Sequence, residues 1–104
     1  MIVIGMNEGT KAEYRLQDGV LTIAGHSINL KEVQTDTEQK IDIIKDGQYI
    51  ANIIVPPKRY KKVQKQIEQD GETITIEDLE AEELDINTCV LQLWAIKEQI
   101  EGGM

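Results

Sequence analysis

Phenylalanine is absent from the chain, and cysteine, tryptophan and histidine occur once each. Each shortage removes a class of chemistry. The lone cysteine, Cys89, has no partner for an internal disulfide, and among Val90, Leu91 and Leu93 it reads as a buried thiol and not as a nucleophile. His26 follows Gly25 in an apparent turn with no nucleophile indicated nearby, so histidine catalysis and multi-histidine metal sites lack material. Basic residues are short as well, 11 against 19 acidic, for a formal net charge of -8. Phosphate contacts need Lys and Arg, so a nucleic-acid partner is disfavoured, and an acidic partner equally so. No apolar run approaches the roughly 18 residues of a membrane span. The opening Met1 to Ile4 has no basic flank and stops at Gly5, so the expected location is cytoplasmic, or a virion assembled there.

Carboxylates are plentiful, but their densest run, Glu77, Asp78, Glu80, Glu82, Glu83 and Asp85, has no pocket-forming aromatics around it and reads as a solvated face. Gln66 to Glu77 has the outline of a calcium loop and fails at two positions, Gln66 where the first ligand belongs and Thr73 where an apolar residue belongs. Gly5 and Gly9 do not make a phosphate loop, since no Gly-Lys-Ser/Thr follows. The basic cluster Lys58, Arg59, Lys61, Lys62 and Lys65 is balanced by the acidic run after it and reads as half of an ion-paired ribbon. No residue is assigned a catalytic, cofactor-binding or metal-ligating role, and no cofactor is implied.

What the chain does have is isoleucine and Asp-Gly. With 104 residues it is expected to build one core and one domain, 1–104, and an Ile-rich apolar fraction of 40% favours β-branched strands. Asp-Gly occurs at 18–19, 46–47 and 70–71, each between stretches that can be strands, and suits a two-residue type I′ turn. About the first turn, Tyr14, Leu16, Leu21 and Ile23 share one face while Glu13, Arg15, Gln17 and Thr22 share the other. His26, Ile28 and Leu30 then alternate with polar residues as a third strand of a meander, and Lys31 to Gln39 is expected to be a loop. The second turn pairs Ile44 with Tyr49, Ile43 with Ile50 and Ile41 with Asn52, apolar on both faces, and Pro56-Pro57 ends the strand.

Around Asp70-Gly71 a helix and a hairpin compete. Pro57, the Val63 and Ile67 spacing and Gly71 would suit a helix, but Lys58, Arg59, Lys61 and Lys62 would then sit at its positive end and Glu68 and Asp70 at its negative end. The hairpin instead places Val63, Ile67, Ile74 and Ile76 on one face and sets Lys61 opposite Glu80, Arg59 opposite Glu82 and Lys58 opposite Glu83. The predicted outcome is a projecting ribbon over 58–83 that takes its order from the domain or from a partner. Cys89 to Ile96 is read as a central strand with Trp94 in the core, a helix over 88–100 being the alternative, and 100–104 as a frayed end. The predicted class is mainly β, antiparallel hairpins in a small sandwich or barrel with room for one short helix, α+β being the alternative.

Two segments, Tyr49-Ile50-Ala51-Asn52-Ile53-Ile54-Val55-Pro56-Pro57 with Tyr60 downstream, and Leu84-Asp85-Ile86-Asn87-Thr88-Cys89-Val90-Leu91-Gln92-Leu93-Trp94, resemble the strand cores of small virion-associated proteins of phage and prophage structural operons. The resemblance implies a β-rich structural subunit that works by symmetric assembly, with protein partners, a homo-oligomer or virion among them, and no catalytic residues. The expectation is a non-enzymatic structural or assembly protein of the tail or head-tail kind. The alternative is an acidic nucleic-acid mimic that occupies a basic groove on a host protein.

Overall fold

The computed structural model describes residues 1–97, so the end expected to fray, 100–104, lies outside the described residues, while the helix considered over 88–100 does not form in the part described, 88–97. Among the described residues nine strands run in the order β1 (Ile2–Gly5), β2 (Tyr14–Gln17), β3 (Val20–Ile23), β4 (His26–Asn29), β5 (Gln39–Lys45), β6 (Gln48–Val55), β7 (Tyr60–Gln69), β8 (Glu72–Ala81) and β9 (Val90–Leu93). The protein is mainly β and its pairings are antiparallel, with β1 against β9 the one parallel pair among the described residues. Strands form a four-stranded sheet in the order β1-β9-β6-β5, a meander β2-β3-β4 and the ribbon β7-β8, and they do not close into a barrel.

Each Asp-Gly pair is a hairpin turn. Asp18, Asp46 and Asp70 have φ of 52, 52 and 53°, and the glycine after each has φ of 75°, the left-handed pair that a type I′ turn requires. A fourth turn of the same kind stands at Ala24-Gly25, where Ala24 has φ of 50° and accepts a conformation that costs a residue with Cβ about 1–2 kcal/mol. The first hairpin and the third strand have the expected register: Leu16 faces Leu21, and Thr22 faces Ser27.

The second hairpin departs from expectation after its first rungs. Ile44 faces Tyr49, but Ile43 faces Ala51 and Ile41 faces Ile53, because Ile50 is an extra residue in a β-bulge. The reason is the core. An unbroken ladder would carry Asp42 to the face of Ala51, Ile53 and Val55; the bulge puts Asp42 opposite Asn52 and gathers Ile41 and Ile43 with the buried residues.

Lys31 to Gln39 is not loop throughout. Leu30–Val33 forms a single helical turn, α1, because Asn29 Oδ1 accepts from the amides of Lys31 and Glu32 and caps it, while Gln39 already belongs to β5. Burial of Leu30 holds the turn down. The apolar run 89–96 is strand only over Val90–Leu93, preceded by a 3-10 turn at Ile86–Thr88 that the Asp85 carboxylate caps. β9 is central, as expected, because β1 docks on its far side.

One apolar cluster joins the two larger sheets. Leu21, Ile23 and Leu30 from the meander side meet Ile43, Ala51, Ile53, Val55, Cys89, Leu91 and Leu93 from the four-stranded sheet. Leu84 belongs to the same cluster and anchors the outgoing arm of the ribbon. The loop between β1 and β2 is fastened to the strand end of β9: Ala95 N donates to Asn7 Oδ1 at 2.7 Å, and Ile96 N to Thr10 O at 2.8 Å. There Gly9, at φ +122°, comes so close to Ala95 that an added Cβ would lie 2.8 Å from its Cβ. No described helix is long and apolar enough to cross a membrane.

Candidate interaction surface

The ribbon leaves the domain between two fixed points. Pro56 and Pro57 stop the ladder of β6, and Gln34, nearly buried, donates from Nε2 to both of their carbonyls at 3.2 and 3.3 Å. Lys58 N donates to Thr35 O at 2.8 Å, and the Tyr60 hydroxyl donates to the Asp36 carboxylate, which raises the Tyr60 pKa above its usual 10.0. Glu82 N donates to Arg59 O at 2.8 Å, and Leu84 is buried two residues further on. Beyond these anchors β7 and β8 run for ten residues each against one another alone.

Its exposure follows from that isolation. Every residue of β8 is exposed and, of β7, only Val63 is partly covered. The molecule spans 83 × 21 × 20 Å, with a radius of gyration of 20.6 Å, against about 13 Å for a compact chain of this length. The apolar face expected from the register is there: Ile67 faces Ile74, with Val63 and Ile76 on the same side, but Ile67, Ile74 and Ile76 each remain more than a third exposed. Leu79, on the opposite face, is the most exposed large apolar residue described, at 62%.

The register sets Lys61 opposite Glu80, as expected, and the Arg59–Glu82 bond continues it. The ion pairs expected across those rungs do not form. Among the described residues the ribbon has one, a diagonal contact of Lys65 Nζ with Asp78 Oδ2 at 3.1 Å, which together with the Leu79 amide holds the Asp78 carboxyl below its usual range. Long side chains facing across an exposed ladder are better solvated than paired.

A second surface is the outer face of the four-stranded sheet. Ile2 and Ile4 stand beside Val90 and Gln92, and Asn52 beside Gln92 and Asp42. Trp94 lies on this face, half-buried, its ring edge-on to Tyr49 with centroids 5.0 Å apart and planes at 73°; this corrects its expected place in the core. The run around it is apolar on both sides, so its face could not be read from its neighbours. Under these rings the Tyr49 hydroxyl donates to Asp42 Oδ1 at 2.6 Å and accepts from Asn52 Nδ2 at 2.9 Å. Desolvation and then the Asp42 carboxylate raise the Tyr49 pKa. Asn52 is buried, and its Oδ1 has no partner among the described residues.

The residues singled out for chemistry are scattered. His26 is exposed on β4; Cys89 is fully buried, and burial raises its thiol pKa. Gln66 to Glu77 straddles the ribbon turn, and Gly5 ends β1. Among the described residues no three His, Cys, Asp or Glu side chains are gathered as metal ligands. Comparison with protein-family models, with curated proteins and with solved structures gives no match to the chain.

Proposed function

We propose that the chain is a non-enzymatic structural or assembly protein that works by binding protein chains, copies of itself first, through the β7-β8 ribbon. The observation that carries this is a hairpin of two ten-residue strands held out from the core with Ile67, Ile74, Ile76 and Leu79 exposed. Covering the apolar area these side chains still expose would favour association by about 25 cal/mol per Å², and no described residue of the domain covers it. The likeness of the 49–57 and 84–94 segments to virion-associated proteins supports a phage or prophage setting, in a tail or head-tail part. The decoy alternative draws no support from the ribbon, where a basic arm lies against the acidic one and interrupts any phosphate-like row.

Light scattering over a concentration series tests the reading, with a variant in which Gln66 to Thr75 is replaced by Asn-Gly. The intact chain is expected to self-associate; the trimmed one, having lost Ile67, Ile74 and the outer part of both edges, is expected to keep its sheet and most of its thermal stability and to associate markedly more weakly. A monomeric intact chain at every concentration would overturn the proposal.

A further inference from the structure

We infer that the ribbon joins copies head-to-tail, the β7 edge of one copy adding to the β8 edge of the next, so that the assembly is a ring or a filament and not a two-fold dimer. The inference deepens the proposed function and rests on it. Three features of the ribbon point the same way.

The first is charge. Residues 58–69 hold five basic side chains and one acidic; residues 72–83 hold six acidic and none basic. Two β7 edges would bring lysines together and two β8 edges carboxylates, and like charges across adjacent strands repel. Only the unlike edges attract. With the single Lys65–Asp78 pair among the described residues, the remaining charges are not neutralised within the ribbon.

The second is the ladder. Glu82 N donates to Arg59 O, and rungs alternate in an antiparallel pair, so the odd residues of β7 bond inward while Tyr60, Lys62, Gln64, Gln66 and Glu68 turn their N–H and C=O groups to the open edge. By the same alternation the open edge of β8 is offered by Thr73, Thr75, Glu77, Leu79 and Ala81. Among the described residues neither edge has a neighbouring strand.

The third is the match between them. Two ribbons side by side and pointing the same way place β8 of one antiparallel to β7 of the other. With tips level, the outward residues Lys62 and Gln64 meet the outward residues Leu79 and Glu77, and Lys61 again lies opposite Glu80. Hydrogen-bond parity, strand direction and charge agree in one register. The Val63 and Ile67 side of one copy then continues the Ile74 and Ile76 side of the next. An interface whose two sides differ has to close into a ring or run on.

Two prolines test this, because each deletes an outward N–H and leaves the inward ladder whole. Gln64→Pro blocks the β7 edge and Glu77→Pro the β8 edge; both are checked for an unchanged far-UV spectrum and thermal midpoint. The wild-type chain is expected to form species larger than a dimer, weakened at least about tenfold between low and high salt. Each variant alone is expected to be monomeric, and an equimolar mixture to give a 1:1 dimer that grows no further, since one good edge remains on each partner. A wild-type dimer that does not grow, or association lost in one variant and intact in the other, means a two-fold contact and overturns the head-to-tail inference while sparing self-association. A wild-type monomer overturns both. Should a proline disturb the fold, Lys61→Glu with Lys62→Glu and, separately, Glu80→Lys with Glu82→Lys replace the pair, and association that survives in each alone overturns the inference.

Discussion

Tyr49 is a small residue-scale example of a polar group kept at a sheet surface by its neighbours. Its hydroxyl is the one described partner of the Asn52 amide, and Asn52 is buried. Tyr49→Phe leaves that amide with no partner at either end and is expected to cost about 1–3 kcal/mol of stability, read as a lower denaturant midpoint at unchanged slope. Replacing Asn52 by Leu along with Tyr49 by Phe should recover most of the loss, since removing both partners is nearly neutral. Ala24 presents the opposite case, a residue with strain to relieve. Asn tolerates the left-handed conformation better than Ala and favours a type I′ turn before Gly25, so Ala24→Asn is expected to add about 1 kcal/mol, a rise of several degrees in thermal midpoint.

At the scale of elements the ribbon and the domain should answer acid differently. Lys65 and the Leu79 amide lower the Asp78 pKa in the folded ribbon, so the carboxylate stabilises that fold above its unfolded value, about 4, and the contribution is lost as pH falls through the lower folded value. Ribbon amides are expected to lose hydrogen-exchange protection first on acidification, before those of β6 and β9. Asp78→Asn should lower their protection at neutral pH and flatten that dependence. Protection that is equal across the molecule at every pH would show that the ribbon opens only with the domain.

For the whole molecule, local turn chemistry made most of the fold legible. Asp-Gly pairs and period-two faces gave three hairpins and their strands, and the charge order 58–70 rejected the helix on the strength of the backbone dipole. What local pattern could not supply was anything decided by distant partners. The bulge at Ile50 exists to keep Asp42 out of a core built by β9, and the strand at Ile2–Gly5 forms because Val90–Leu93 offers it an edge. Trp94 is half-buried and not core for the same reason, since the ring it packs against, Tyr49, comes from a distant strand. The interaction surface was half legible: sequence placed the ribbon and its apolar face, but ion pairs across its rungs needed side-chain geometry to refuse them.

The parallel pairing of β1 with β9 also sets an order in time. During synthesis β1 emerges before its mate β9, and because β9 stands between β1 and β6 the β5-β6 hairpin lacks both neighbours while everything between them is made. The ribbon is therefore complete before the domain that bears it. Until β9 emerges, β1 has no sheet to join, and its apolar Ile2-Val3-Ile4 run is an open edge of the kind that promotes wrong pairing among nascent chains.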